Sequence, residues 1–390
     1  MNLRSLLRIG TQIAAAASAA VLPFAVIAIF GQDGFRHFSS AYTIYTLALF
    51  LGTLGLDLAM ARLDISLWRA CTFLAVTVGS VGALLSLGSS NPISTQVRLC
   101  VIATALTGAW GSYLTNRIYF RQTAAGIKAI AWIRIATALV GVSALVTLAN
   151  PLDGIYVVLA QNIVIASTAL IYARGTTPAT QISTSMSKLP AHAVTALASF
   201  FTFSFAGLLQ AYERYIAAAI DHPFVGTYLV FSTYLSALTY LGTGVERSEY
   251  TKPQTTRRIL KSFGRLGLLA FSIGLLTLLI IYMRAQPYMD LGFLAVLAYI
   301  TLATTVHIAS YFSAAPFVFI SFSEADIKRL ALTNVCVAAM PLGIVTAISV
   351  TGLLGSESAI LVLALTIPTA VWMSSLIRMR FAIHKIKTTT

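Results

Sequence analysis

The sequence predicts an all-α polytopic membrane protein, with twelve transmembrane helices in two six-helix lobes related by a pseudo-two-fold and both termini cytoplasmic. Three observations carry this. Of 390 residues, 58% are hydrophobic and only 10% are charged, against roughly 25% charged in an average soluble domain. A water-soluble globule needs a largely polar exterior, so this composition excludes a cytosolic enzyme, a secreted disulfide scaffold and a disordered chain. Apolar runs of about 20 residues, the length that crosses the hydrocarbon of a bilayer, recur along the sequence. The basic residues, finally, alternate between the two ends of those runs.

The runs lie at approximately 9–30, 40–61, 68–89, 97–116, 129–149, 154–174, 192–220, 223–245, 263–283, 291–320, 330–351 and 358–377. Turn-forming clusters punctuate them: Gly31-Gln32-Asp33-Gly34, Asn91-Pro92, Asn150-Pro151, Asp221-His222-Pro223 and Gln286-Pro287. Arg4, Arg8 and the alanine-rich stretch after them resemble a secretory leader. The apolar run continues to Phe30, longer than a leader's core, and reads as the first span.

With the N-terminus cytoplasmic, 21 of the 26 lysines and arginines fall on cytoplasmic ends and loops, three fall outside (Arg36, Arg98, Arg284), and Arg134 and Arg214 fall within spans. This is a positive-inside distribution. It accounts for the net charge of +14 without nucleic acid. The densest cluster, Arg247, Lys252, Arg257, Arg258, Lys261 and Arg265, is expected in the loop between spans eight and nine, with the basic loops against anionic lipid headgroups. The three cysteines, Cys71, Cys100 and Cys336, match no metal spacing and are expected to pack as small apolar side chains. No extramembrane stretch reaches 25 residues, so no soluble catalytic domain or nucleotide-binding loop is expected.

The chain divides into an N-terminal lobe over 1–180 and a C-terminal lobe over 192–390, joined by a cytoplasmic linker over 181–191 that follows Gly175-Thr176-Thr177-Pro178. A weak internal repeat supports the division. Asp33, Tyr42, Leu54-Gly55 and Arg62 in one half parallel Asp221, Tyr228, Leu241-Gly242 and Arg247 in the other. Six spans per half make the repeats parallel, and transporters place their sites where such repeats meet.

At 100° per residue, Tyr42, Thr46, Thr53 and Asp57 of span two fall within about 60° of arc. In span seven, His192, Thr195, Ser199, Thr202, Gln210 and Glu213 fall within about 80°, as do Tyr228, Ser232, Ser236, Thr239, Thr243 and Glu246 in span eight. Such stripes either line a polar cavity or pack helices through hydroxyls bonded to their own backbone. The accompanying acids favour a cavity for spans two, seven and eight. Span four, with Thr104, Gly108, Gly111 and Thr115 on one face, reads as a packing surface, and spans nine and twelve show no comparable stripe.

Ionisable groups within a span face a cavity or a partner. Glu213-Arg214 in span seven is the leading candidate: Arg214 offers a fixed positive charge to an anionic group while Glu213 balances it or titrates, or else the two fix the outer end of the bundle through neighbouring helices. Arg134 in span five either meets an anion or snorkels to the inner interface. Asp57 either balances charge and couples an ion, or caps a helix. His307 reads as a hydrogen-bonded packing residue rather than a proton relay. Pro23 and Pro316 each remove a helix hydrogen bond and permit a bend.

The stretch Tyr212-Glu213-Arg214-Tyr215-Ile216, through Asp221 to Val225-Gly226-Thr227-Tyr228, resembles the span-seven-to-eight signature of polysaccharide flippases. Leu54-Gly55-Leu56-Asp57-Leu58-Ala59-Met60-Ala61-Arg62 is similar to their span-two ending, and Tyr119-Phe120-Arg121-Gln122 with Ile127-Lys128 to their loop between spans four and five. The chain thus resembles the Wzx-type O-antigen and capsule flippases of the multidrug/oligosaccharidyl-lipid/polysaccharide (MOP) exporter superfamily. It departs from them in carrying Glu213 where aspartate is usual, and in its tight loops.

The resemblance implies transfer of an undecaprenyl-diphosphate-linked oligosaccharide from the inner to the outer leaflet of a bacterial inner membrane, without a cofactor or a catalytic residue. Arg214 and Arg134 would meet anionic groups, and Tyr42, Tyr228 and Gln210 the sugar; tyrosines near a membrane edge also serve as interface anchors. The implied partners are the lipid-linked substrate, membrane lipids, a coupled H+ or Na+ gradient and polysaccharide polymerase machinery. A multidrug exporter of the same fold is the alternative. A membrane polymerase or acyltransferase is disfavoured by the absence of a large loop and by scattered histidines.

Overall fold

The computed structural model describes residues 3–62, 65–88, 94–120, 124–175, 197–198, 200–202, 205–220, 224–249, 254–285, 290–350 and 357–389. Among them the chain is helical nearly throughout. The expected linker over 181–191 lies outside the described residues, as do His192, Thr195 and Ser199 of the span-seven stripe.

The helices are α1 (Leu3–Thr53), α2 (Leu56–Arg62), α3 (Leu67–Gly88), α4 (Thr95–Phe120), α5 (Ala124–Leu145), α6 (Gly154–Gly175), α7 (Phe205–Ala219), α8 (Val225–Glu249), α9 (Thr256–Ala285), α10 (Leu291–Ser321), α11 (Glu324–Val350) and α12 (Glu357–Thr389). Among the described residues eight helices are long and apolar enough to cross a membrane: α3 to α6 and α9 to α12. These are the expected spans three to six and nine to twelve.

Two boundaries differ from the sequence expectation, whereas the break expected at Gly31 to Gly34 between spans one and two is present: α1 is two helices joined end to end at Gly31, which adopts φ 70° and ψ −169°. Only glycine takes that backbone geometry at little cost, so one residue does the work of a loop. Span two then stops early, because Leu54 (φ 43°) and Gly55 (φ 74°) turn left-handed and α2 starts afresh at Leu56. The basic cluster expected in a loop before span nine is largely helical: Arg257, Arg258, Lys261 and Arg265 occupy the first turns of α9.

Backbone contacts group the chain into two compact units, Val21–Tyr215 and Met1–Ala20 with Ile216–Thr390. In the first, α4 packs against α6, α3, α2 and α5, and α5 packs against α6. In the second, α10 packs against α12, α9 and α8, and α11 packs against α12. The pairs α4–α6, α3–α4, α5–α6, α2–α4 and α2–α3 therefore recur as α10–α12, α9–α10, α11–α12, α8–α10 and α8–α9. The two units thus share a neighbour scheme.

Small residues build both cores. Gly108 and Gly111 of α4 face Asn162 and Ala166 of α6, and a Cβ at Gly108 would sit 3.3 Å from the Asn162 amide. Gly267 and Gly274 of α9 face Ala309 and Thr301 of α10. Apolar side chains gain little from leaving lipid, so close backbone approach supplies much of the attraction between membrane helices. The cysteines are unpaired, with Cys100 buried, Cys71 half-buried and Cys336 exposed.

Candidate functional site

Asp57 is buried in the first turn of α2, where the helix dipole favours an acid. Its Oδ2 accepts a hydrogen bond from Ser112 Oγ of α4 at 2.5 Å and a longer one from Asn116 Nδ2 at 3.4 Å. One turn along α4, Arg117 Nη1 donates to Tyr113 Oη at 3.0 Å and to the Ile65 carbonyl at 3.3 Å, and Tyr113 Oη donates to the same carbonyl at 2.7 Å. Arg117 and Tyr113 are both buried. The α2–α4 contact is thus a polar seam with an acid and a base one helical turn apart on α4's side. Ser112, Asn116, Tyr113 and Arg117 were not singled out from sequence, although their i, i+3 and i+4 spacing places them on one side of α4.

Tyr42 is half-buried on α1 and stacks on Phe38, with centroids 5.4 Å apart and planes 28° apart. It also meets Tyr45 edge-on at 5.4 Å. Tyr45 Oη accepts from Asn162 Nδ2 at 3.5 Å, and the same amide donates to the Thr104 carbonyl at 3.1 Å. Asn162 follows Gln161 in an otherwise apolar run, and two adjacent amides make no stripe along a helix, so a search for polar stripes overlooks it. The span-two stripe needs correction: Tyr42, Thr46 and Thr53 share α1, but the turn at Leu54-Gly55 places Asp57 on a different helix.

Of the other residues expected in the site, Glu213 is buried on α7 with the Arg214 charge acting on it, and Arg214 and Gln210 are half-buried. Arg134 is half-buried on α5, two residues beyond the exposed Trp132. These residues, with Tyr42 and Asp57, belong to the first unit. Tyr228 belongs to the second, where it is buried on α8 and its hydroxyl meets no hydrogen-bond partner among the described residues. Ser232, Ser236 and Thr239 of its stripe are half-buried, and the side chains of Thr243 and Glu246 lie outside the described residues.

The second unit holds a polar interior of which sequence reading singled out His307 alone. His307 Nδ1 of α10 lies 2.5 Å from Ser375 Oγ of α12, both buried. One turn on, the Arg378 guanidinium stacks 3.9 Å above the Tyr311 ring. Ser374 Oγ donates to Asn334 Oδ1 of α11 at 2.5 Å. Span twelve was expected to carry no polar stripe, and a single-face test fails here because Ser374 and Ser375 point about 100° apart, toward two different neighbours. His307 is, as expected, hydrogen-bonded within packing.

Among the described residues no cluster of His, Cys, Asp or Glu is arranged to hold a metal ion. A cavity of about 160 Å³ beside Phe224, Asp290, Phe293 and Ile360 in the second unit is mostly apolar.

No family model matches the sequence, and no curated protein matches it. A solved structure does. The crystal structure of the eukaryotic MATE transporter AtDTX14 aligns over 98% of this chain and 99% of that one, with a TM-score of 0.53 and 12% identity. The shared property is the fold: an all-α polytopic membrane protein of two lobes and twelve spans. At this identity the likeness extends to architecture and not to residues.

Proposed function

We propose that the chain is an alternating-access transporter that moves an undecaprenyl-diphosphate-linked oligosaccharide from the inner to the outer leaflet of a bacterial inner membrane for surface polysaccharide assembly. The observation that carries this reading is Arg214, a half-buried cation on α7 in the expected seventh span, set beside the buried Glu213 in a chain with the fold of a MATE transporter. A charge within a span is retained where it meets a charged cargo or a partner. A diphosphate head needs cations along its path, while its hydrocarbon tail can stay in lipid. Arg134 would supply a second cation, Gln210, Tyr42 and Tyr228 would contact sugar, and Asp57 with Glu213 would balance charge or couple H+ or Na+. Polysaccharide polymerase machinery would receive the product.

A second reading is favoured by two observations, the fold match to a MATE transporter and the buried acid Glu213. It makes the chain an exporter of small organic solutes, including cationic drugs. Deletion in the native host separates the two. Unpolymerised lipid-linked repeat units accumulating on the cytoplasmic side support the flippase. Unchanged surface glycan with altered drug tolerance supports the exporter.

A further inference from the structure

The outward face of α9 changes character along its length. Arg257, Lys261 and Arg265 are exposed and fall within about 80° of arc. Leu268, Leu275, Leu279 and Met283 continue the same arc and are half or more exposed, Leu268 at 71%. The opposite side of the helix, including Ile259, Leu266 and Ala270, is buried. At 1.5 Å per residue the basic section covers about 12 Å and the apolar section about 22 Å. A face that meets hydrocarbon along its apolar part meets headgroups along its basic part.

Electrostatics within the helix works against this arrangement. Cations in the first turns oppose the helix dipole, and the pairs Arg257/Lys261 and Lys261/Arg265 set like charges four residues apart. Among the described residues none of the three has an ion-pair partner. An external anion would compensate both penalties.

The matched helix of the first unit differs. α3 occupies the place of α9 in the repeated scheme, and its first turns expose one cation, Arg69, beside Trp68. The same contrast separates α6 from α12. Exposed Leu365, Met373 and Leu376 on α12 are followed on one arc by exposed Arg380, His384 and Lys387, whereas the last turns of α6 expose Arg174 alone. A general preference for inward cations would act on both repeats alike, so it leaves this asymmetry unexplained.

We infer that the outward faces of α9 and α12 bind anionic glycerophospholipids of the inner leaflet, held by Arg257, Lys261 and Arg265 at the phosphate and by Leu268 and its neighbours along the acyl chain. The inference is independent of which solute the chain moves.

Native mass spectrometry of the full chain with phosphatidylglycerol or phosphatidylcholine tests it. The wild type is expected to retain phosphatidylglycerol at least several-fold more strongly. The triple variant R257Q/K261Q/R265Q should lose most of that preference, while the charge-conserving pair R257K/R265K and the first-unit variant Arg69→Gln should keep it. Equal retention of the two lipids by the wild type, an unchanged preference in the triple variant, or equal loss in Arg69→Gln would each overturn the proposal. Complete displacement of the lipid by sn-glycerol 3-phosphate would also overturn it, because the site would then be one for a soluble phosphate. If the triple variant fails to fold, the single exchange Lys261→Glu, assayed the same way, must weaken the preference several-fold.

Discussion

Ser112 on α4 donates its hydroxyl to the buried Asp57 carboxylate on α2 at 2.5 Å, and this bond fastens the short helix that ends the expected second span. A hydrogen bond to a buried charged group contributes about 1.5–3 kcal/mol. Ser112→Ala removes the shorter of the two hydrogen bonds described at Asp57, and should lower the unfolding free energy of the purified protein by about 1–3 kcal/mol. Asp57→Asn keeps an oxygen that accepts from Ser112 and should melt close to wild type. Loss of transport in that variant at normal protein levels assigns the charge itself to function. A wild-type melting curve for Ser112→Ala would show that the seam contributes nothing.

The number of helices was legible because apolar length is a property of local sequence. The break at Gly31 was legible too, from the polar cluster Gly31-Gln32-Asp33-Gly34, but the one at Gly55 was not, since a glycine in an apolar run either continues a helix or turns left-handed, and tertiary contacts choose. Among site residues, Glu213 and Arg214 stand out as charges in an apolar run. Ser112, Asn162 and Ser375 do not, because a hydroxyl or amide in a span gains meaning only from the helix it meets.

Gly52 on α1 packs directly against α3. A Cβ there would lie 2.5 Å from the Val78 Cα, a backbone atom that cannot rotate aside. Gly52→Ala should therefore separate the helices and lower stability by about 1–3 kcal/mol. Thermal unfolding in detergent measures this, and an unshifted midpoint would place α1 farther from α3 than described.

Gly31 and Gly264 form a contrast, since neither has an atom within 4 Å of an added Cβ. At Gly31 the backbone sits at φ 70°, so Gly31→Ala should be destabilising by about 1–3 kcal/mol through strain alone. Gly264 lies within α9 in ordinary helical geometry, so Gly264→Ala should stabilise by about 0.5–1 kcal/mol. Opposite signs are expected in the same unfolding assay. Equal shifts would mean that α1 runs through Gly31 without the kink.

Glu213 and Arg214 decide between cargo recognition and structure. They are consecutive on α7, so their side chains diverge by about 100° and each has its own surroundings. If the two charges only hold helices together, Arg214→Gln should remove the protein from the membrane fraction, since a buried acid left beside a missing cation is strongly destabilising. If Arg214 meets the diphosphate, Arg214→Gln should leave protein levels normal, abolish transport and cause lipid-linked repeat units to accumulate. Arg214→Lys should then restore part of the activity, because a point charge can still meet a phosphate while losing the bidentate fork. Glu213→Gln distinguishes the exporter: a carrier of cationic solutes depends on that carboxylate for cargo, and its loss should abolish drug tolerance while surface glycan is unchanged. Membrane-fraction immunoblots, scored beside lipid-linked intermediate levels and drug tolerance, read all three outcomes from one set of strains.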